Sequence, residues 1–333
     1  MDSVYLLTGI TGHLGNAVAR ELAARGKKVR GLVLPTDDIE GKFPPGIEFY
    51  RGDVTRKESL RPFFAGLKGK SFKVIHAAGI VSIASRAERK MQETNVGGTE
   101  NIISLCREYG AAKLVYVSSV HALPELPHGQ VISEIKHFDP ALVVGPYAKT
   151  KAAATALALK AAAEGLNVSV VHPSGIVGPF DYGRGHLTQM VLDYCKGRLF
   201  AGVDGGYDFV DVRDVAWGVI AACERGAAGE CYLLSNKWYS VADMFGQLYE
   251  ITGFKKINTY LPLWFAKLTA PLSELYYKLR RQTPLFTSYS LYTLASNANF
   301  SNAKAKAELG YKTRSFQETL RDTVAWLKEQ GRI

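Results

Sequence analysis

Val4-Tyr5-Leu6-Leu7-Thr8-Gly9-Ile10-Thr11-Gly12-His13-Leu14-Gly15 is a short apolar run that stops in a turn carrying three glycines, and Ala17 to Arg25 behind it has the composition of a helix. Strand, glycine turn, helix is the prediction. Glycines let the chain reverse tightly and let its backbone come close to a pyrophosphate, whose charge is met by the N–H groups that open the helix. The spacing is Gly-x-x-Gly-x-x-Gly rather than Gly-x-Gly-x-x-Gly, and a glycine triplet alone is a weak signal. Its place at the end of the first strand is what makes Thr8, Gly9, Thr11, Gly12, His13, Leu14 and Gly15 candidates for holding a dinucleotide.

Outward from this turn, further short strands are predicted at Lys28 to Leu34, Ile47 to Tyr50, Val74 to His76, Lys113 to Val117, Asn167 to His172 and Cys231 to Leu234, most of them separated by helical stretches. That alternation predicts an α/β fold with a doubly wound parallel sheet. The 333 residues suffice for a large core and a smaller lobe. Residues 1–180, with 207–235 returning, are assigned to the dinucleotide-binding domain, and 181–206 with 236–333 to a C-terminal substrate-binding lobe.

The ends of these strands supply the other candidates. The second ends at Leu34, followed by Pro35-Thr36-Asp37-Asp38, where an acid would accept from a ribose 2′-hydroxyl and an Arg would pair with a 2′-phosphate. With no Arg there and Asp37 close by, NAD is favoured slightly over NADP. Asp53, with Val54, either contacts adenine or caps the next helix. Ala77-Ala78-Gly79 is small enough for a flat ring or ribose to lie against the backbone. Asn95, in the helical stretch Glu88 to Tyr109, needs partners if buried and is expected to hold a water or a backbone group beside the site. Ser118 and Ser119 close the fifth strand, where open α/β sheets bind ligands. His121 either lines the pocket or is a solvated loop residue. Pro173, Ser174, Gly175 and Ile176 form a turn that could pass the nicotinamide. In Asp208-Phe209-Val210-Asp211-Val212-Arg213-Asp214, an extended stretch runs into a helix for which Asp211 or Asp214 is a suitable cap.

Tyr147 and Lys151 stand one helical turn apart in a stretch of Ala, Lys and Leu that begins just after Pro146. They share a face. A free phenol ionises near ~10, and a neighbouring ammonium favours the phenolate, so the pair is a candidate general acid/base with its own tuner. A short Tyr-x-x-x-Lys is far more often an exposed pair on a soluble helix, and only the surrounding candidates overturn that reading.

Bulk composition excludes several classes. With 47% hydrophobic and 22% charged residues the chain is ordinary globular material. No run approaches the ~20 apolar residues of a membrane span, and the start of the chain does not read as a signal peptide. Cys106, Cys195, Cys223 and Cys231 lack any Cys-x-x-Cys spacing and are expected reduced, so a cytoplasmic location is expected, with no metal. The net charge of +10 is spread along the chain without a nucleic-acid motif, which reads as a solvated surface rather than a nucleic-acid interface. Leu261 to Tyr277 and Leu285 to Tyr292 are crowded with aromatic and aliphatic residues. They are core by default, or the wall of a pocket for a flat apolar small molecule; a helix dipping into a membrane surface is a third reading. Phe300 to Gly310 and Phe316 to Gln330 are predicted as amphipathic helices.

Taken in order, the glycine turn, Asp53-Val54, Asn95 in Asn-Val-Gly-Gly-Thr, Ser118-Ser119, Tyr147-x-x-x-Lys151, Pro173-Ser174-Gly175 and Phe209-Val210-Asp211-Val212-Arg213-Asp214 resemble the pattern of extended short-chain dehydrogenase/reductases over essentially the whole chain. The resemblance implies a Rossmann-type domain holding NAD or NADP. It matches Ser119, Tyr147 and Lys151 to the family's catalytic triad and Asn95 to a residue of its proton relay, with Tyr147 moving the hydroxyl proton, Lys151 lowering its pKa and holding the nicotinamide ribose, and Ser119 orienting the carbonyl. The C-terminal third, through Pro284-Leu285-Phe286-Thr287, Leu291-Tyr292-Thr293-Leu294, Glu308-Leu309-Gly310-Tyr311 and Asp322-Thr323-Val324-Ala325-Trp326, is similar to the dihydroflavonol 4-reductase and 3β-hydroxysteroid dehydrogenase branch, although Leu34 stands where reductases of that branch carry Arg. A ketone/alcohol oxidoreductase acting on a hydrophobic small molecule is the first expectation. A nucleotide-sugar epimerase or dehydratase, its diphosphate held by Arg184, Arg280 or Arg281, is the alternative. By analogy within such enzymes, a homodimer is possible.

Overall fold

Side chains alternate across the first strand, β1 (Val4–Thr8), so that fully buried Leu6 and Leu7 belong to two separate hydrophobic clusters, one on each face of a sheet. The computed structural model describes residues 3–82, 89–183, 185–269 and 288–333. β1 lies between β2 (Val29–Val33) and β4 (Phe72–His76), with β3 (Ile47–Arg51) outside β2, and β5 (Lys113–Val117), β6 (Val168–Pro173) and β10 (Cys231–Leu234) following beyond β4. All these pairings are parallel. Parallel strands need crossovers, and the crossovers bury both faces of the sheet. On one face α1 (His13–Ala24) and α7 (Val212–Arg225) pack Val18, Leu22 and Val219 with Leu7, Ile75, Val115 and Val171. On the other, α4 (Gly98–Tyr109) and α5 (Pro146–Ala163) pack Ile102, Ala152 and Ala158 with Leu6, Val74, Leu114 and Val170.

The chain leaves β1 toward β2 on one side and returns to β4 on the other. The loops after β1 and β4 therefore part, opening a crevice at the carboxyl ends of the strands. The expected Rossmann-type, doubly wound sheet is present.

Beyond it, β7 (Gly175–Val177), β9 (Gly206–Asp211) and β11 (Lys237–Ser240) form a three-stranded sheet, and β8 (Gly202–Val203) pairs with β12 (Tyr260–Leu261). The stretch expected as a Pro/Gly turn after β6 is thus largely strand β7, because β9 offers it a parallel partner. Asp211 does cap α7, accepting from the Arg213 N–H at 2.7 Å. Arg213 also pairs with Asp322 at 2.6 Å, and Arg314 pairs with Asp214, so the Asp211 to Asp214 segment anchors the C-terminal helix Phe316–Glu329 to the main sheet. The helix expected over Phe300 to Gly310 is much shorter. Phe300 forms a bridge with Ile132, and the helical turn that follows covers Ala305–Leu309 before Gly310 ends it at φ 67°. The helix expected from Glu88 begins, among described residues, at α3 (Arg89–Gln92) and is widened by a π turn at Glu93–Gly97 before α4. Leu272, Leu275, Tyr276, Tyr277, Leu285 and Phe286 lie outside the described residues.

The glycine turn is held by contacts that leave no room for side chains at two of its three glycines. A Cβ on Gly9 would fall 2.5 Å from the Ala78 nitrogen, and one on Gly15 would fall 2.0 Å from the Gly9 carbonyl oxygen; on Gly12 the nearest atom is 3.3 Å away. Gly15→Ala is therefore expected to lower folding stability by about 3 kcal/mol, whereas Gly12→Ala, with an ordinary φ of −75°, should cost under about 1 kcal/mol. Thermal unfolding of the two variants checks this contrast.

Candidate functional site

The first site layer is the crevice between β1 and β4. The Thr8 hydroxyl turns inward, 2.7 Å from His76 Nδ1, and accepts from the Ala78 N–H at 3.2 Å, which ties the two strand ends together. His76 Nε2 is 3.1 Å from the Thr99 hydroxyl, and burial holds the imidazole neutral, with a pKa near 3. Gly12 and Gly79 are left exposed at the mouth, while the Leu14 side chain is buried in the core and contributes only backbone. His13 Nε2 lies 3.0 Å from the Pro179 carbonyl.

At the end of β2, Asp37 Oδ2 accepts from the Thr11 hydroxyl at 2.8 Å and from the Leu34 N–H at 3.1 Å. A carboxylate expected only to be close by is thereby fixed against the glycine turn. Arg51, not singled out from the sequence, donates to the Leu34 and Pro35 carbonyls at 3.2 and 2.8 Å and braces this loop. Asp53 accepts from the Thr55 N–H and hydroxyl at 2.9 and 2.8 Å, a local turn of the capping kind, and Val54 is buried beneath Gly98.

The π turn faces Asn95 inward. Its Oδ1 accepts from the Ile80 N–H at 2.7 Å, and its Nδ2 donates to the Ile80 carbonyl and the Thr150 hydroxyl, both at 3.0 Å. The expected backbone partner is found, and Thr150 joins it. At Gly79 the position of a Cβ would be 3.2 Å from Asn95 Oδ1 and 3.5 Å from Lys151 Nζ, so the β4 end, the π turn and α5 converge on one point.

On α5, Tyr147 and Lys151 do share the buried face, 7% and 4% exposed. Lys151 Nζ donates to the Val117 carbonyl at 2.8 Å and lies 5.1 Å from the centre of the Tyr116 ring. The Ser119 hydroxyl lies near the phenol of Tyr147, where it favours ionisation, and accepts from the His121 N–H at 3.2 Å. The expected tuning by the ammonium differs here. Burial pushes Tyr147 up to about 12, opposed by the Ser119 hydroxyl, and burial pushes Lys151 down to about 7, because both charged forms lose their water. The phenol is therefore neutral at pH 7, and a phenolate–ammonium ion pair is disfavoured in the empty crevice.

Two predicted hydroxyls are committed elsewhere. Ser118 Oγ lies 2.6 Å from Thr155 Oγ1, which donates to the Lys151 carbonyl, so it secures α5 to β5. Ser174 donates to Asp208, which also accepts from the Asn236 N–H at 3.0 Å and whose pKa burial raises to about 6. Pro173 ends β6, and Gly175 and Ile176 lie within β7.

Tyr147 is bordered by rings. His121 lies 6.0 Å from it, 5.8 Å from Tyr207 in a stacked arrangement and 5.9 Å from Tyr289, so it is partly buried among aromatics rather than solvated. Tyr289, on helix Ser288–Ala295, sits over Gly145, whose φ of +96° and lack of a Cβ make room for the ring: a Cβ would be 2.3 Å away. Beyond His121 opens a cavity of about 430 Å³, its mouth included, lined by Val120, Leu123, Ile132, Val143, Tyr207 and Phe300 among others, with Glu125 and Tyr292 hydrogen-bonded at its edge. Tyr289 falls in the aromatic stretch expected as core or pocket wall, whereas Tyr207 carries no local signal and only the tertiary fold brings it beside His121. Arg184, Arg280 and Arg281 lie outside the described residues. Among the described residues no helix is long and apolar enough to cross a membrane, and no three His, Cys, Asp or Glu side chains gather as a metal site.

The sequence model of the NAD dependent epimerase/dehydratase family matches residues 5–235. Sterol demethylase protein B of Methylococcus capsulatus is 31% identical, over 98% of this chain and 99% of that protein. The 3 beta-hydroxysteroid dehydrogenase type 7 of Mus musculus is 30% identical, over 98% and 95%. The crystal structure of gox2253 superposes with a TM-score of 0.85 at 33% identity, each chain covered completely.

The buried ammonium has a measurable consequence for stability. With Lys151 held at about 7, the unfolded chain binds a proton between pH 7 and ~10.4 that the folded chain does not, so this group's contribution to stability rises as pH increases through that window. Lys151→Met is expected to stabilise the fold at pH 7, by on the order of 3 kcal/mol, and to flatten the rise between pH 7 and 10. Denaturant titrations across that range test both parts.

Proposed function

The chain belongs to the NAD dependent epimerase/dehydratase family, the extended short-chain dehydrogenase/reductases, and from that premise we propose that this oxidoreductase interconverts a ketone and a secondary alcohol on a hydrophobic small molecule, with Tyr147 as general acid/base. The observation that carries the reading is the convergence of Ser119, Tyr147 and Lys151 at the carboxyl end of β5, with Gly79 beside Lys151 on one side and, beside Tyr147 on the other, the His121 ring that lines the cavity.

The crevice fits a dinucleotide by its own stereochemistry. Gly9 and Gly15 pack backbone on backbone, Gly12 stays bare at the start of α1, and the small residues Ala77, Ala78 and Gly79 line the opposite lip. The glycine turn would hold the pyrophosphate, Asp37 the adenosine ribose, and Lys151 with Tyr147 the nicotinamide ribose. The bound nicotinamide supplies hydride transfer, and the protein supplies alignment and the proton.

In the reduction direction, Ser119 donates to the substrate oxygen and orients it. Tyr147, a neutral phenol below about 12, then gives that oxygen its proton. Lys151, on the same buried face of α5 one turn on, would stabilise the resulting phenolate once its own amine is charged, and Asn95 with Thr150 keeps the β4 end and α5 in register for the transfer. The similarity to a sterol demethylase protein and a 3β-hydroxysteroid dehydrogenase supports a polycyclic, sterol-like substrate over a sugar nucleotide.

Tyr147→Phe is expected to cut kcat by at least about 10³-fold while leaving cofactor affinity within about threefold. Absorbance at the reduced-nicotinamide band with a panel of steroids, flavanonols and aldehydes reads the first, and fluorescence titration of the cofactor reads the second. Equal loss of both would make Tyr147 a structural residue, and turnover of a UDP-sugar with none of the panel would sink the ketone/alcohol reading.

Asp37 also supports NAD over NADP, since a fixed carboxylate accepts from a free 2′-hydroxyl and repels a 2′-phosphate. Asp37→Ser should lower the NAD/NADP ratio of kcat/KM by roughly tenfold or more, the Arg51 guanidinium being close enough to meet the added phosphate.

A further inference from the structure

The rings around Tyr147 contain a hydrogen-bond count that does not close on itself. The Tyr207 hydroxyl lies 3.4 Å from His121 Nε2, and the Tyr289 hydroxyl lies 3.3 Å from His121 Nδ1. Burial among the rings lowers the His121 pKa to about 4, so at neutral pH the imidazole carries one N–H and one bare nitrogen. Each of the two links consumes one proton, and the three groups together carry three. One phenolic O–H is therefore left over whichever tautomer His121 adopts. With the proton on Nε2, His121 donates to Tyr207 and accepts from Tyr289, and the unspent O–H belongs to Tyr207. Tyr207 and His121 line the cavity, whereas the Tyr289 ring is laid across Gly145. A ligand acceptor in the cavity selects that tautomer.

We propose that Tyr207, oriented by the His121–Tyr289 pair, is a second hydrogen-bond donor of the substrate pocket, and that the substrate class is a cyclic ketone or alcohol carrying a further oxygen within one ring of the reacting carbon. The inference rests on the oxidoreductase reading above and deepens it. The spacing follows from the rings: His121 touches Tyr147 on one side and Tyr207 on the other, so the two phenols flank a single imidazole. The rest of the cavity wall is Val120, Leu123, Ile132, Val143 and Phe300 together with polar groups already engaged elsewhere: Glu125 accepts from the Tyr292 hydroxyl and the Asn297 N–H, Ser296 donates to the Thr293 carbonyl, and the Asn297 amide donates to the Leu126 and Pro127 carbonyls. A ligand without the second oxygen would strip water from the Tyr207 hydroxyl and return nothing, and this is where discrimination originates.

His121 and Tyr289 act here as positioning residues, and the test separates their part from a merely structural one. With the full-length protein and saturating reduced cofactor, Kd and kcat/KM are measured for 1-tetralone and 4-hydroxy-1-tetralone. The wild type is expected to prefer the hydroxyketone by roughly tenfold in both, Tyr207→Phe to reduce that preference to within twofold, and His121→Phe to do the same while keeping the ring. His121→Gln, which retains a donor and an acceptor, should restore part of the preference; equal loss in His121→Phe and His121→Gln would mark the histidine as packing only and overturn its positioning role. Turnover of both ketones by the wild type without preference, or an unaltered preference in Tyr207→Phe, would overturn the second donor and leave the oxidoreductase reading standing. Absence of both binding and turnover for either ketone, in protein that binds its cofactor, would overturn the proposed substrate class as well. Circular dichroism melts confirm that each variant is folded before its result is read.

Discussion

One contact organises the site: the amine of Lys151 against the carbonyl of Val117, which joins the long helix α5 to the last residue of strand β5. A lysine with its charged end buried is costly, and the cost is tolerated only where fixed dipoles replace its water. The residues around it do more than accommodate it. Thr155 and Ser118 pin the same helix one turn further along, Asn95 and Thr150 pin it to the π turn, and Ala148, Ala152 and Ala158 let it approach the sheet closely. A phenol, an amine and a serine hydroxyl are brought together because the helix that carries two of them is fastened on three sides.

Such fastening bears on the energetics of the site. Tyr147 and Lys151 are both displaced from their ordinary ionisation by burial, in opposite directions, so neither charged form is comfortable in the empty crevice. Stability is given up locally to keep an acid and a base within reach of each other, and it is recovered in the double-faced sheet and in the ion pairs that tie Asp211, Arg213, Arg314 and Asp322 together. The segment from Asp211 to Asp214, conspicuous in the sequence, thus works as a clamp on the C-terminal helix.

What could be read from the sequence follows a physical division. Strand positions and the glycine turn were legible because hydrophobic runs and glycine are local signals, and Tyr147 with Lys151 because helical spacing alone puts them on one face. Roles that depend on which partner a polar atom finds were not legible. Ser118 and Ser174 carry the same hydroxyl as Ser119, yet the first turns to Thr155 and the second to Asp208. The stretch after β6 reads as a turn until a neighbouring strand, more than thirty residues on in sequence, pairs with it. The shortness of the helix near Phe300 has the same cause, since the Ile132 backbone claims that segment from a distance. His121, Tyr207 and Tyr289 have no shared motif at all, and only folding makes them neighbours.

The close seating of the Tyr289 ring on Gly145 means that these two positions cannot drift independently. A side chain at 145 is strained by the positive φ alone and collides with the ring at 289 besides, while losing that ring leaves a vacancy directly beside the phenol. Substitutions at the pair are therefore epistatic, and a route that enlarges the reaction chamber has to change the distant helix before the glycine.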